Sequence, residues 1–233
     1  LVLYDAGTAV LKQAIPLDFV AQGSACSPDG RTILLSSADE LTAFLYDSET
    51  GEQIQTLSGY STAAPVYGAS FSPDGENILW HSRGTFQLQR IADGTLSETI
   101  SLWDFVDVFA LSPDSKILAA LIPDEDALQY IVVFYDTAAA AELGRIALGN
   151  RPVKSIAFDP EGTFVILADQ TGLSRVDLPG YQTVWSETIL EDKSGDDGTA
   201  DSIRKISFSP NGKFLAVLTD TEKVTLVRFK NDG

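Results

Sequence analysis

The chain has 233 residues, 44% of them hydrophobic and 9% aromatic, which suffices for one folded domain and excludes a disordered chain. Its 16 cations stand against 33 carboxylates, and the net charge of −17 argues against direct binding to nucleic acid or to an anionic membrane surface. No apolar run reaches the roughly 18 residues of a membrane-spanning helix, and a single cysteine, Cys26, allows no internal disulfide.

In chain order, Leu1–Tyr4 and Val10–Ile15 read as two strands. A turn, Ser27-Pro28-Asp29-Gly30, then precedes the apolar run Ile33-Leu34-Leu35, a strand over Leu41–Tyr46, the turn Asp47-Ser48-Glu49-Thr50-Gly51 and a strand over Glu52–Leu57. The same order returns with Val66–Phe71, the turn Ser72-Pro73-Asp74-Gly75, Ile78-Leu79-Trp80, Gln87–Ile91, the turn Asp93-Gly94 and Thr95–Ile100. A third round runs through Val108–Leu111, Ser112-Pro113-Asp114-Ser115, Ile117–Leu121, Tyr130–Tyr135, Asp136 and Glu142–Leu148. A fourth carries Ile156-Ala157-Phe158, Asp159-Pro160-Glu161-Gly162 and Phe164–Leu167; a fifth carries Ile206-Ser207-Phe208, Ser209-Pro210-Asn211-Gly212 and Phe214–Leu218. The sequence starts inside a strand pattern, stops at the hairpin turn Asn231-Asp232-Gly233 and contains no Met, which reads as a processed product or a fragment.

The five turns start at 27, 72, 112, 159 and 209, so they recur every 40 to 50 residues. Pro presets φ at the second turn position, Asp or Asn bonds local backbone, and Gly accepts positive φ; Ser115 is the exception among the Gly positions. Apolar runs of three to five residues bounded by turns predict strands covered on both faces. Four short strands per unit at this period are the signature of propeller blades. Cys26 falls where other repeats carry Phe, which predicts a buried small hydrophobe.

The strings Phe71-Ser72-Pro73-Asp74-Gly75 and Leu45-Tyr46-Asp47-Ser48-Glu49-Thr50-Gly51 resemble the two most recognisable pieces of a WD repeat, and the likeness covers Leu1 to Lys230. The resemblance implies an all-β propeller of four-stranded antiparallel blades, one domain over 1–233, with units at about 1–17 (partial), 20–57, 65–100, 105–148, 153–190 and 203–230. Two arrangements stay open: a closed five-bladed ring, and part of a larger, seven-bladed ring, the second favoured by the start and stop in mid-hairpin. The Trp-Asp pair of the family is here Tyr46-Asp47, Tyr135-Asp136, Tyr4-Asp5 and, more weakly, Val176-Asp177, and no Gly-His pair opens a repeat. The family's buried His–Ser–Asp–Trp network is therefore incomplete, and the chain reads as a divergent, bacterial-looking member held mainly by apolar packing.

Candidate sites follow from the charge. The segment 191–201 is the longest irregular stretch, and Asp192, Asp196, Asp197 and Asp201 are candidate calcium ligands, although their spacing departs from helix–loop–helix calcium loops and a solvated acidic insertion is the simpler reading. Asp39, Glu40, Asp124, Glu125, Asp126 and Asp169, with Asp220 and Glu222, fall in loops that a propeller gathers on one face, a candidate surface for a basic protein segment. His81 beside Ser82 and Arg83 is the one place where hydrolase chemistry suggests itself, but adjacent strand residues point to opposite faces. Trp80, Trp103 and Trp185 read as packing groups or surface aromatics rather than a stacking platform. The leading expectation is a non-enzymatic interaction or scaffold module without a cofactor, binding a protein through the loop face or central funnel. The alternative is an accessory propeller of a larger enzyme or receptor that gates or positions substrate.

Overall fold

In a computed structural model of the chain, the described residues are 1–5, 7–37, 42–58, 68–82, 84–102, 106–124, 127–190 and 201–228. They hold 21 strands, and no helix occurs among them. Two compact units divide the chain, Leu1–Ser101 and Leu102–Gly233.

In the first unit, β1 (Val2–Tyr4) and β2 (Leu11–Ala14) form a hairpin. The first full blade is β3 (Ala21–Cys26), β4 (Thr32–Ser37), β5 (Ala43–Asp47) and β6 (Gln53–Leu57); the second is β7 (Gly68–Phe71), β8 (Asn77–Ser82), β9 (Thr85–Arg90) and β10 (Ile100–Ser101). The second unit holds a third blade of β11 (Phe109–Leu111), β12 (Ile117–Asp124), β13 (Gln129–Asp136) and β14 (Ala141–Gly149). Its fourth blade is β15 (Ser155–Phe158), β16 (Phe164–Ala168), β17 (Gly172–Asp177) and β18 (Gln182–Thr188). A three-stranded sheet follows, β19 (Ile203–Phe208), β20 (Phe214–Thr219) and β21 (Val224–Arg228). Every sheet pairs its strands antiparallel in chain order, so the all-β, blade-built expectation is met.

One hydrogen-bond pattern explains the repeated turn. Ser27 Oγ donates to Asp29 Oδ1 (2.6 Å) and accepts the N–H of Thr32 (2.9 Å), while Asp29 Oδ1 accepts the N–H of Arg31 (3.0 Å). Ser72 with Asp74, Ser112 with Asp114 and Ser209 with Asn211 repeat it at 2.5, 2.7 and 2.8 Å. In the fourth blade Asp159 replaces the serine and accepts the N–H of Phe164 directly at 2.7 Å. The fourth turn residue has positive φ throughout; Ser115, without glycine's freedom, is held at φ 59°.

The turns also stack. An added Cβ at Gly75 would lie 3.4 Å from Pro28 of the preceding blade, and those at Gly162 and Gly212 would lie 3.5 Å from Pro113 and Pro160.

The core lies in the seams between sheets. In β16, Val165 and Leu167 pack toward the third blade with Ala119, Val132 and Phe134, whereas Phe164, Ile166 and Ala168 pack toward β19–β20 with Ile203, Ile206, Leu215 and Val217. This alternation is why the strand reads as an unbroken apolar run: period two with both faces covered. In the first unit, Leu34, Ala43 and Leu45 meet Ala69, Ile78 and Trp80, while Ile33, Leu35 and Tyr46 carry the β1–β2 hairpin.

Three expectations need correction. Cys26 is exposed, not buried. The hairpin covers Ile33 and Leu35 of β4 and Tyr46 of β5, and this cover stops short of Cys26 on the inner strand β3. The fourth strand of the second repeat is Ile100–Ser101 rather than Thr95–Ile100, with an isolated bridge between Gln89 and Leu96. Ser97 causes the break, because its hydroxyl takes the N–H of Leu88 (3.0 Å) and Gln87 Nε2 bonds its carbonyl (2.7 Å). Finally, Asp124 is not in an open loop but ends β12, opposite Gln129.

Candidate functional site

In an antiparallel sheet taken in chain order, the turn between its second and third strands and the exit of its fourth strand share one end. In the second unit this end carries Asp124, the β14–β15 connection with Arg151, the β16–β17 turn with Asp169, Asp201 before β19, and Asp220 after β20. A cleft of about 640 Å³ opens there, lined among others by Arg151, Asp169, Gln170, Thr171, Asp201 and Ser202.

Backbone bonds build its walls. The Gln170 carbonyl accepts the N–H of Ile203 (2.8 Å), and the Thr171 carbonyl accepts those of Ile189 (2.9 Å) and Leu190 (3.0 Å). Asp169 Oδ1 accepts the N–H groups of Thr171 (2.9 Å) and Gly172 (2.7 Å), fixing the turn, while Oδ2 faces Arg151 Nη1 at 4.0 Å. Asp201 Oδ2 accepts the Thr221 hydroxyl at 2.9 Å, and Ser202 Oγ donates to the Asp220 carboxylate. At Asp201, desolvation pushes the carboxyl up and the bonds from Thr221 and Thr219 push it down, leaving it below the usual carboxylate range. Asp124 is likewise tied into its turn, Oδ1 accepting the N–H of Ala127 at 3.2 Å.

The structure thus gathers Asp169 and Asp201 at one cleft and puts Asp124 and Asp220 at the same end of their sheets. Asp39, Glu40, Glu125, Asp126, Asp192, Asp196 and Asp197 lie outside the described residues, so of the calcium candidates only Asp201 is placed. The sequence reading missed Arg151, the cleft's cation; its position in a between-blade connection, like Asp201, was the available signal.

His81 lies on β8 opposite Gly68, an added Cβ of which would stand 2.6 Å from His81 Nε2, and its ring stacks on Phe86 at 6.5 Å. Burial pushes its imidazole pKa below the usual value. Ser82 is buried, and the strand directs it to the opposite face. Trp80 is fully buried, donating from Nε1 to Gln89 Oε1 at 3.0 Å, and Trp185 is half-buried in the seam between the fourth blade and β19–β21. Trp103 lies outside the described residues.

A family model described as "WD domain, G-beta repeat" matches residues 51–104. The match starts just before β6 and continues through the second blade, so the sequence repeat joins the outer strand of one blade to the next. Over 215 residues the chain is 26% identical to pre-mRNA-processing factor 19 homolog 2 of Arabidopsis thaliana, covering 88% of this chain and 38% of that protein. Over 180 residues it is 26% identical to WD repeat-containing protein SL1-17 of Schistosoma mansoni, covering 77% of this chain and 52% of that one. The chain is a WD-repeat-like β-propeller. It spans about half or less of the length of these relatives, and neither supports the bacterial character expected from its divergence.

In this WD-repeat-like propeller the aspartate of the Trp-Asp position serves its own turn. Asp47 Oδ1 accepts the N–H groups of Thr50 (2.7 Å) and Glu49 (2.9 Å), which hold its carboxyl below the usual range. Asp136 Oδ1 accepts the N–H groups of Ala139 and Ala138, and Asp5 Oδ1 those of Thr8 and Gly7. Asp177 instead accepts from Arg175 Nε at 2.7 Å.

Proposed function

We propose that this propeller is a non-enzymatic interaction module that holds a protein partner, a basic one, at the loop end of its second unit. The cleft between Asp169 and Asp201 carries the reading: a site of about 640 Å³ built on backbone bonds, with carboxylates at its rim and, among the described residues, one cation, Arg151. A WD-repeat-like scaffold and a chain charge of −17 agree with it.

The test is fluorescence anisotropy with a labelled lysine-rich peptide, at low and high salt. The variant is Asp124→Asn, Asp169→Asn and Asp201→Asn combined, in which the amide oxygens keep accepting the turn bonds. Binding should weaken about tenfold in the variant and fall steeply with salt. Equal binding by both proteins, or binding insensitive to salt, would remove the proposal.

A further inference from the structure

We propose that the seam between the first two blades takes an aromatic side chain of a protein partner, one followed by arginine or lysine. The first unit alone builds this groove, and the reading of the cleft does not enter it.

The second unit supplies the precedent. Phe134 and Leu45 each stand directly before a Tyr-Asp pair, and they lie opposite Gly144 and Gln55 of the outer strand. On the first of these pairs the next blade's turn lays a ring. Tyr181 packs on Phe134 with centroids 4.8 Å apart, and a Cβ added at Gly144 would meet its Cδ2 at 2.6 Å. Gly94 is the residue equivalent to Tyr181 in the second blade, each donating its N–H four residues back, and it brings no ring. A groove of about 280 Å³ opens in that seam, with Leu45, Gln55, Ile54 and Phe71 in its walls. A cavity of roughly 150 Å³ holds a benzene ring, so one aromatic side chain fits. Gln55 is held to the wall by its bond to the Ile91 carbonyl (2.8 Å), and Ile54 is 56% exposed. Half-buried Phe71 offers the incoming ring an aromatic neighbour.

Charge sets the residue beside the ring. Among the described residues the charged lining is Asp29 and Asp74, one from each blade's turn. Both are exposed, and each spends Oδ1 on its own turn, accepting the N–H of Arg31 (3.0 Å) or of Glu76 (2.9 Å). A cation next to the aromatic residue meets this rim, and a carboxylate there is repelled. The turns at this end of the two sheets, 27–30, 47–51, 72–75 and 91–94, are all described, and none carries an aromatic residue.

The probe is the capped peptide Gly-Tyr-Arg-Gly, titrated into the full chain with labelled isoleucine methyl groups and followed by NMR. The methyl signals of Ile54 and Ile91 should shift saturably under the ring current of the tyrosine, while those of Ile166 and Ile203 in the second unit hold still. Gly-Ala-Arg-Gly should bind about tenfold more weakly, having no ring to bury. The double variant Asp29→Asn, Asp74→Asn should also bind Gly-Tyr-Arg-Gly about tenfold more weakly. It should fold, because Asn211 serves the same turn in the fifth repeat, and circular dichroism checks this. Four outcomes overturn the proposal. They are no saturable shift at Ile54 and Ile91, equal affinity for the alanine peptide, which marks charge attraction alone, equal affinity of the double variant, and a wild-type dimer in light scattering that the peptide fails to dissociate. The variant that neutralises Asp124, Asp169 and Asp201 should bind Gly-Tyr-Arg-Gly as the wild type does, so the two proposals fail separately.

Discussion

The seam between the first two blades and the seam between the third and fourth solve one packing problem with opposite residues. Gln55 on β6 lies opposite Leu45, and Gly144 on β14 lies opposite Phe134, each two residues before the aspartate of a Tyr-Asp pair, so Gln55 and Gly144 are equivalent. Gly94 and Tyr181 are equivalent as well: each donates its N–H four residues back, to the carbonyls of Arg90 and Asp177, and each has positive φ, 72° and 50°. In the first unit the long side chain of Gln55 reaches the carbonyl of Ile91, and the atoms nearest to a Cβ added at Gly94 are Gln89 Nε2 and Leu57 Cδ2, each at 3.9 Å. The second sets glycine on the strand against a tyrosine in the turn. Of the two, only the second packs its members directly on each other, an added Cβ at Gly144 lying 2.6 Å from Tyr181 Cδ2.

The two solutions differ in how they hold. In the first unit the contacts are polar: Gln55 Nε2 bonds the Ile91 carbonyl (2.8 Å), and Gln89, bonded to Trp80, donates to the carbonyls of Ser58 (2.9 Å) and Gly94 (3.1 Å). In the second, the Tyr181 ring packs on Phe134 with centroids 4.8 Å apart. The largest effect should come from breaking the first. Trp80→Ala removes a fully buried indole and orphans the Gln89 oxygen, and should cost about 4 kcal/mol in chemical denaturation. Trp80→Phe keeps most of the volume and loses only the bond, so it should cost about 1–3 kcal/mol. If the two variants were equally destabilised, the polar tie and not the packing would be dominant.

An exchange of the two solutions gives the next largest effect. A Cβ added at Gly144 would lie 2.6 Å from Tyr181 Cδ2, so Gly144→Gln should destabilise by about 1–3 kcal/mol. Tyr181→Gly should also destabilise, through the lost ring contact with Phe134, less the relief of its positive φ. The double variant puts at 144 and 181 the residue types that stand at the equivalent positions 55 and 94, and because 144 and 181 touch, its cost should fall short of the sum of the singles by about 1 kcal/mol or more. Strict additivity in the same denaturation series would show that the two positions do not trade volume.

These pairs were beyond the reach of the sequence, and the reason is physical. The Ser-Pro-Asp-Gly turns are legible because every group they need lies within five residues, and unbroken runs such as Phe164–Leu167 announce burial on both faces. Gly144 and Tyr181 lie 37 positions apart and meet only across a seam. Trp80–Gln89 was hidden for a similar reason, since nothing local marks Gln89 as the partner of an indole. Cys26 was misread because its place in the repeat implies a neighbour that the β1–β2 hairpin does not supply there. At the candidate site the sequence put Asp169 among the acidic loops of one face and Asp201 among the candidate calcium ligands. It gave no hint that Asp169 is spent partly on its own turn and Asp201 on Thr221, 20 residues away, or that Arg151 stands between connections to meet Asp169.

Gly68 and His81 form a second small–large pair, inside a single sheet rather than across a seam, and here the large member titrates. Burial lowers the His81 pKa in the folded chain, whereas the unfolded value is near 6.5. Between the folded pKa and 6.5 the unfolded chain therefore binds more protons, so stability rises with pH across that window. It is complete above 6.5, declines as the pH falls through the window, and is flat again below the folded pKa. Because His81 is the chain's one histidine, the contribution can be isolated. The thermal midpoint of the wild type should drop as the pH falls below 6.5, and that of His81→Gln should stay level until the carboxylates begin to titrate near 4. This should be the smallest of the three effects. Parallel curves for the two proteins would mean that His81 is as well solvated when charged as in the unfolded chain, and that the Gly68 face is open to water.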